Sequence, residues 1–251
     1  MEELWDIRRV ARLLQLSERT VYQMAREGRL PARRIGGRWR FRPEEIERWL
    51  DDSVGHAEPE PGAVDAYLNR AEFEERLGGI IDPLERRLGF VALLAGAVTA
   101  LGWQPPVVVG GHAVEFYTAG GYATVDIELV SGHEPLEAVL PKWGFVARGR
   151  HWVHEGLGLV VEAPGSHLEP EQRERVTAVE TAGATAYVLG VEDVIVDRLA
   201  ACVHWRSEED CGWARVLLAL FQDGLDEEYL WERARLREVQ ARLRTVVDEL
   251  S

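Results

Sequence analysis

The spacing of apolar residues in the first fifty positions predicts two helices joined by a tight turn. The apolar face of the first predicted helix consists of Val10, Leu13 and Leu14. Asp6 can cap the start of this helix, and Ser17 can cap a second helix that continues to about Glu27. Gly28 is expected to end the second helix, since glycine favours the position just past a helix terminus.

The pattern then changes to alternation. The segment "LPARRIGGRWRF" predicts two short strands joined by a turn at Gly36 and Gly37. Its expected packing residues are Ile35, Trp39 and Phe41. The segment "PEEIERWL" predicts a third helix, with Pro43 at its first position and acidic residues in its first turn.

Residues 51–66, "DDSVGHAEPEPGAVDA", have no apolar period and are rich in proline, glycine and acid. Such a composition is typical of a connection between folded units. We therefore predict a winged helix-turn-helix domain over residues 1–52, a linker over 53–65 and a second domain over 66–251.

Helical and strand-like periods both occur in the second predicted domain. Residues 66–102 predict two helices. The expected strands lie at 107–109, 124–130, 145–148, 152–154, 157–163 and 186–189. The other expected helices lie at 111–119, 135–140, 191–206, 209–221 and 227–250, of which the last can be broken. Strands between helical ends predict an α+β fold with a mixed sheet flanked by helices.

Charge is distributed unevenly along the 251 residues. The formal net charge is −14, yet residues 1–50 contain 12 arginines against 8 acidic residues, a local net charge of +4. We therefore expect only the N-terminal part to contact a polyanion. The two cysteines, Cys202 and Cys211, do not form a disulfide framework by number, and Cys202 is interpreted as a core residue.

The N-terminus lacks the basic and then apolar pattern of a signal peptide. The longest apolar stretch, Phe90 to Trp103, is too short to span a bilayer. A cytoplasmic protein without a membrane partner is expected.

A basic second helix and an arginine-rich hairpin predict a DNA-binding surface. The side chains expected on one face of the helix are Arg19, Tyr22, Gln23 and Arg26. The hairpin residues expected to reach phosphates or a minor groove are Arg33, Arg34, Arg38 and Arg40. The alternative is a small helical module that binds protein, with solvated arginines.

About 45 residues, including "LSERTVYQMAREGRLPARRIGGRWRFRPEEIERWL", resemble the excisionase/MerR-type winged helix-turn-helix. The resemblance implies binding of double-stranded DNA. One such domain reads few base pairs, so a homodimer is expected for specific affinity.

The segment "GGHAVEFYTAGGYATVDIELV" places two glycines ahead of a strand that contains two carboxylates. Asp126 and Glu128 are two positions apart and should point to one side of the strand. With Glu162 from "LGLVVEAPG" as a third carboxylate, they can hold Mg²⁺ against nucleotide phosphates. The amides of Gly110 and Gly111, at a helix N-terminus, can bind phosphate. The alternative is that the carboxylates line a solvated face of the sheet.

The order of these features over about residues 106–221 resembles the nucleotidyltransferase superfamily related to DNA polymerase β, especially its small antitoxin-like members. The segment "GVEDVIVDRLAACVHWRSEEDCGWARVLLAL" is similar to the helical part of those proteins. Their recurring acidic and basic positions correspond here to Glu192, Asp193, Arg198 and Asp210. The sequence departs from the pattern at Tyr122 and Val125, where relatives often have basic residues.

This second resemblance implies transfer of a nucleotidyl group from an NTP, with Mg²⁺ on Asp126 and Glu128 and with Glu162 completing the site. Two alternatives remain open. The second domain can serve a transcription regulator by sensing a ligand or by dimerising. The chain can also be the antitoxin of a toxin–antitoxin pair, with a cognate toxin as its partner.

Three further candidates are set aside on the sequence. A zinc site at His151, His154 and Glu155 is not favoured, because His154 should point away from the other two. His112 is interpreted as an ordinary residue at a helix start. Trp205 is interpreted as a packing residue.

Overall fold

The computed structural model describes residues 4–14, 16–26, 30–53 and 62–250. The N-terminal elements are α1 (Ile7–Leu14), α2 (Glu18–Arg26), β1 (Arg33–Ile35), β2 (Arg38–Arg40) and α3 (Pro43–Ser53). Their order is the one that the sequence predicts. The expected helix end at Glu27 and Gly28, and residues 54–61 of the expected linker, lie outside the described residues.

Local hydrogen bonds explain why these elements form where they do. The Asp6 carboxylate accepts from the Arg9 N–H at 2.9 Å, and the Ser17 hydroxyl accepts from the Thr20 N–H at 3.1 Å. The hairpin between β1 and β2 turns at Gly36 and Gly37, whose φ angles are 56° and 78°. A two-residue turn of this kind needs two left-handed residues, which explains the glycine pair.

One apolar cluster holds the N-terminal elements together. Its buried members are Val10, Ala11, Val21, Met24, Ala25, Leu30, Phe41 and Ile46. Two expected packing residues are exposed instead, Leu13 by 45% and Ile35 by 52%. Leu13 lies on the outer side of α1, and Ile35 lies beside the turn at the end of the hairpin.

The second part of the chain begins with three helices, α4 (Ala63–Tyr67), α5 (Arg70–Gly78) and α6 (Pro83–Ala100). The two helices predicted over residues 66–102 are α5 and α6, and α4 lies mostly within the expected linker of residues 53–65. Asn69 caps α5 through a reciprocal capping box, and Asp82 and Pro83 start α6 separately.

A mixed sheet with helices follows. In chain order its elements are β3 (Val107–Val108), α7 (Gly110–Tyr117), β4 (Ile127–Val130), α8 (His133–Val139), β5 (Val146–Arg148), β6 (His151–His154), β7 (Leu159–Gly165), α9 (Pro170–Glu174), β8 (Thr177–Thr181), β9 (Ala184–Val188), α10 (Val191–His204), α11 (Glu208–Phe221), α12 (Glu227–Leu236) and α13 (Gln240–Leu250). Within the described residues the strand order is β5-β6-β7-β4-β3-β9-β8. The α+β prediction is confirmed at this level.

Two pairs of strands in the sheet are parallel, β4 with β7 and β3 with β9, and the others are antiparallel. Helix α6 packs on β9 and β8, and its central residues from Phe90 to Leu94 are fully buried. Because β4 pairs with β7, the ends of two strands that are distant in sequence lie side by side.

Two details of the second part differ from the prediction, and a third is the break in the last helix that the prediction allowed. Strand β4 starts at Ile127 rather than at residue 124, and Val125 ahead of it is 81% exposed. Strand β8 was not predicted, because "TAVET" alternates between half-buried and exposed positions and has little apolar character. The last helix is broken between α12 and α13, where Glu238 has a left-handed φ of 58°.

Cys202 is buried as expected, and it forms a disulfide with Cys211 that the sequence did not predict and that ties α10 to α11. The two residues lie at facing ends of consecutive helices, which brings their Cα atoms to 4.9 Å. Trp205, expected to pack, is 82% exposed, because it caps α10 at the turn between these helices. Among the helices of the described residues, none is long and apolar enough to cross a membrane.

Candidate functional site

Strand register brings acidic residues and a histidine into one row across three strands. Glu128 on β4 is paired with Glu162 on β7, and Glu162 is paired with His151 on β6. Directly paired residues face the same side of a sheet, so these three side chains share one face. The neighbouring residues Ile127 and Val161 are fully buried on the opposite face. We call Glu128, Glu162 and His151 the acid–histidine row.

Asp126 lies just ahead of β4 and joins this row. Ligand atoms of Asp126, His151 and Glu162 lie within 4.8 Å of one another, the one such group of three or more found among the described residues. The Thr124 hydroxyl donates to Asp126 Oδ1 at 3.1 Å, which orients that carboxylate. His151 Nε2 lies 3.4 Å from Glu162 Oε2, and Arg150 Nε lies 3.3 Å from Glu162 Oε1.

The sequence did not assign His151 to this site. The sequence suggested His154 and Glu155 as the neighbours of His151 in a zinc site, whereas in the structure His154 has other partners. His154 is buried, with Nε2 3.3 Å from Glu74 Oε1 and with Nδ1 accepting from the Leu157 N–H. The signal that identifies His151 is the pairing of β6 with β7, which the sequence does not reveal.

Glu128 is not part of this group of three, and its carboxylate binds the start of α7. Its Oε2 accepts from the Gly111 N–H at 2.5 Å. Gly110 has a φ of 60°, and a Cβ at this position would collide with the Glu128 carboxylate. Burial raises the pKa of Glu128, and the charge of Asp126 adds to this, while the Gly111 N–H opposes it. The helix terminus expected to bind phosphate therefore contacts a carboxylate of the same chain.

A positive charge also lies near the row. Arg198 on α10 forms an ion pair with Asp210 on α11, with Nη1 2.8 Å from Oδ1. The Arg198 charge acts on Glu128 and on Tyr122, and the Tyr122 ring packs edge-to-face on Trp213 at 5.1 Å. Arg198 thus supplies a positive charge close to Tyr122 and Glu128.

Glu192 and Asp193, at the start of α10, contact other helices. Asp193 is buried and accepts hydrogen bonds from Gln172 Nε2 at 2.9 Å, Tyr229 OH at 2.7 Å and Arg233 Nε at 2.9 Å. Glu192 accepts from the N–H of Asp226 at 3.0 Å. Both carboxylates are used to hold α9 and α12 against α10.

His112 is fully buried on α7. Its Nδ1 lies 3.2 Å from Glu115 Oε2, and Glu115 forms an ion pair with Arg87 on α6. Burial lowers the pKa of His112, which keeps the ring neutral. Its Nε2 has no hydrogen-bond partner among the described residues.

The second helix of the N-terminal part presents a polar face to solvent. Val21, Met24 and Ala25 of α2 are buried in the core. The predicted DNA-contacting residues of α2 are exposed, and they are Arg19, Tyr22, Gln23 and Arg26. Helix α2 therefore has one face in the core and a polar face open to solvent, as a recognition helix requires.

The hairpin arginines are partly engaged within the domain. Arg33 Nη2 lies 3.3 Å from Glu45 Oε1, and Arg34 Nε donates to the Gly37 carbonyl at 3.5 Å. Arg40 Nη1 donates to the Trp39 carbonyl at 2.9 Å, and Arg38 is exposed on the same hairpin. An ion pair as exposed as that of Arg33 is weak, so phosphates can compete for its guanidinium group.

Comparison with known proteins supports the N-terminal assignment. Residues 6–53 match the family described as the helix-turn-helix domain. The N-terminal part of this chain is a helix-turn-helix domain. This match supports DNA binding, in agreement with the exposed face of α2. A search of curated proteins finds no match for the chain.

The group of Asp126, His151 and Glu162, which we call the second site, has ligands that fit a divalent cation. Asp126 and Glu162 offer carboxylate oxygens, the donors that Mg²⁺ prefers, and His151 adds a nitrogen. Burial is the largest cause of the raised pKa of Glu128, and repulsion by the charges of Asp126 and Glu162 raises it further. A bound cation would relieve that repulsion.

Proposed function

We propose that the protein binds double-stranded DNA through its helix-turn-helix domain and transfers a nucleotidyl group from an NTP at the second site. The observation that supports the transfer is the position of Asp126, Glu128 and Glu162 beside the N-terminus of α7. Anionic phosphates bind at helix N-termini, and carboxylates bind the metal that accompanies those phosphates.

In this proposal each residue has a defined role. Asp126 and Glu162 hold Mg²⁺, which when bound neutralises phosphate charge and orients the nucleotide. Gly110 and Gly111 place backbone N–H groups at the phosphates once Glu128 releases Gly111. Arg198 adds positive charge at the same end of the sheet, since electrostatic stabilisation is the main requirement of phosphoryl chemistry.

A second candidate is a DNA-binding regulator whose C-terminal part binds a ligand or a second copy without chemistry. The contact between Glu128 and Gly111 favours it, because the phosphate position is filled by the chain's own carboxylate. A homodimer and a toxin partner stay predictions of the sequence.

Nucleotide binding tests the proposal directly. Equilibrium binding of ATP, GTP, CTP and UTP would be measured with Mg²⁺, using the full chain and Asp126→Asn. We expect at least one NTP to bind, and its affinity to fall at least tenfold in Asp126→Asn, because one metal-binding carboxylate becomes neutral.

The control is Asp223→Asn, an exposed aspartate in the turn after α11, which should bind as the original chain does. Absence of binding by all four nucleotides, or equal binding by Asp126→Asn, would contradict the nucleotide role.

A further inference from the structure

We propose that Asp126, His151 and Glu162 form a site that prefers a first-row transition-metal ion such as Mn²⁺ over Mg²⁺. This inference rests on the metal site of the proposed function and names the class of ion that it takes. The resembling superfamily implies carboxylates alone, whereas this chain adds an imidazole.

The three ligands come from three separate backbone segments held by one sheet. Asp126 immediately precedes β4, His151 begins β6 and Glu162 lies within β7 between them. Their ligand atoms are already within 4.8 Å of one another. Ligands fixed on neighbouring strands need little rearrangement to bind an ion, which favours affinity.

The donor set decides the kind of ion. Mg²⁺ prefers oxygen donors in near-octahedral geometry, while first-row transition-metal ions, Mn²⁺ among them, accept an imidazole nitrogen more readily. Glu128, which could supply a third carboxylate, is bound to the Gly111 N–H instead. The group therefore offers two carboxylates and one imidazole, a set better suited to Mn²⁺ than to Mg²⁺.

A second feature near Asp126 also indicates a ligand. His112 is fully buried, and its Nε2 has no partner among the described residues. The imidazole lies on α7, whose first residues contact Glu128 of the neighbouring strand β4. A buried nitrogen without a partner is expected where a bound water or ion completes the hydrogen bonding.

The charge balance agrees with a divalent ion. Asp126 and Glu162 contribute two negative charges. Arg150 lies 3.3 Å from Glu162 but is 73% exposed, so solvent screens its interaction. A divalent ion bound between Asp126 and Glu162 would neutralise both carboxylates.

The test measures metal binding in the full chain without nucleotide. After removal of metals with EDTA, free Mn²⁺ is followed by electron paramagnetic resonance during titration, and Mg²⁺ is then added as a competitor. We expect one Mn²⁺ per chain, and a hundredfold excess of Mg²⁺ should displace less than half of it. His151→Asn should weaken Mn²⁺ binding at least tenfold, and His151→Gln should do the same.

The matched control is His133→Asn, a half-exposed histidine on α8 that pairs with Glu137 at 3.2 Å. Its Mn²⁺ affinity should equal that of the original chain. Circular dichroism establishes that each variant is folded. Lack of Mn²⁺ binding by the original chain, or unchanged binding in both folded His151 variants, would overturn the inference.

The outcome separates this inference from the proposed function. If Mn²⁺ binding depends on His151 while no NTP binds, the metal site stands and nucleotidyl transfer is wrong. If NTPs bind with Mg²⁺ while Mn²⁺ binding is unchanged in both folded His151 variants, the nucleotide role stands and the selective site is wrong.

Discussion

At the scale of single residues, the backbone conformation and the close approach of a neighbouring side chain both require glycine at position 110. Its φ of 60° lies in the left-handed region, and a Cβ would collide with the Glu128 carboxylate. Glycine lets the chain turn from β3 into α7 while Glu128 reaches the Gly111 N–H. The start of α7 and the contact between Glu128 and the Gly111 N–H therefore both depend on Gly110.

Gly110→Ala is expected to destabilise the second part of the chain. The left-handed conformation alone costs a residue with a Cβ about 1–2 kcal/mol, and displacement of Glu128 adds to this. Urea-induced unfolding measures the change in the free energy of unfolding.

Gly212→Ala is the control for this substitution, because Gly212 lies inside α11 with open space around its position. Alanine there should stabilise the protein by about 0.5–1 kcal/mol through helix propensity. A stability of Gly110→Ala equal to or above that of the original chain would show that the Gly110 backbone is not under the constraint described.

Single-residue patterns revealed part of the candidate site. Asp126 and Glu128 were found from their spacing, and Glu162 from the end of an apolar run. The direction of Glu128 towards Gly111 was not foreseen, because it depends on how α7 begins. His151 was missed because its relation to Glu162 depends on strand register, which joins residues through pairing and not through spacing.

At the scale of elements, local signals predicted the helix-turn-helix domain well. The caps at Asp6 and Ser17, the glycine pair of the hairpin and Pro43 each act within a few residues of the sequence. The parallel pairing of β4 with β7 was not predictable in this way, because β5 and β6 intervene in the chain and join the same sheet.

Helix α2 is expected to contact DNA through its exposed arginines. Arg19→Ala and Arg26→Ala should each weaken binding to a labelled mixed-sequence duplex, measured by fluorescence anisotropy over a range of KCl concentrations. Loss of one phosphate contact should lower the slope of log affinity against log salt by about one unit.

The comparison for these variants is Arg235→Ala, since Arg235 is equally exposed but lies on α12. Its affinity and salt slope should be unchanged. Original affinity and slope in both α2 variants would show that α2 is not the recognition helix.

At the scale of the whole molecule, charge separates the two proposed activities. Residues 1–50 have a net charge of +4 within a chain of net charge −14, so long-range attraction draws DNA to the N-terminal domain. The acidic remainder repels nucleotides, so we expect the proposed nucleotide binding to require a metal ion and the charge of Arg198. Composition alone predicted that DNA is attracted to the N-terminal domain. That Arg198 acts on Glu128 is known only from the structure.

Transfer of label from an NTP tests the central claim most directly. Each of four NTPs, labelled on the α-phosphate, would be incubated with the protein, divalent metal and cell extract, alongside Asp126→Asn/Glu162→Gln and the Asp223→Asn control. The account predicts label on an acceptor with the original chain and the control, and a loss of at least a hundredfold in the double variant. Absence of label from all four nucleotides, or equal labelling by the folded double variant, would contradict it and would leave the second domain as a non-catalytic part of a DNA-binding protein.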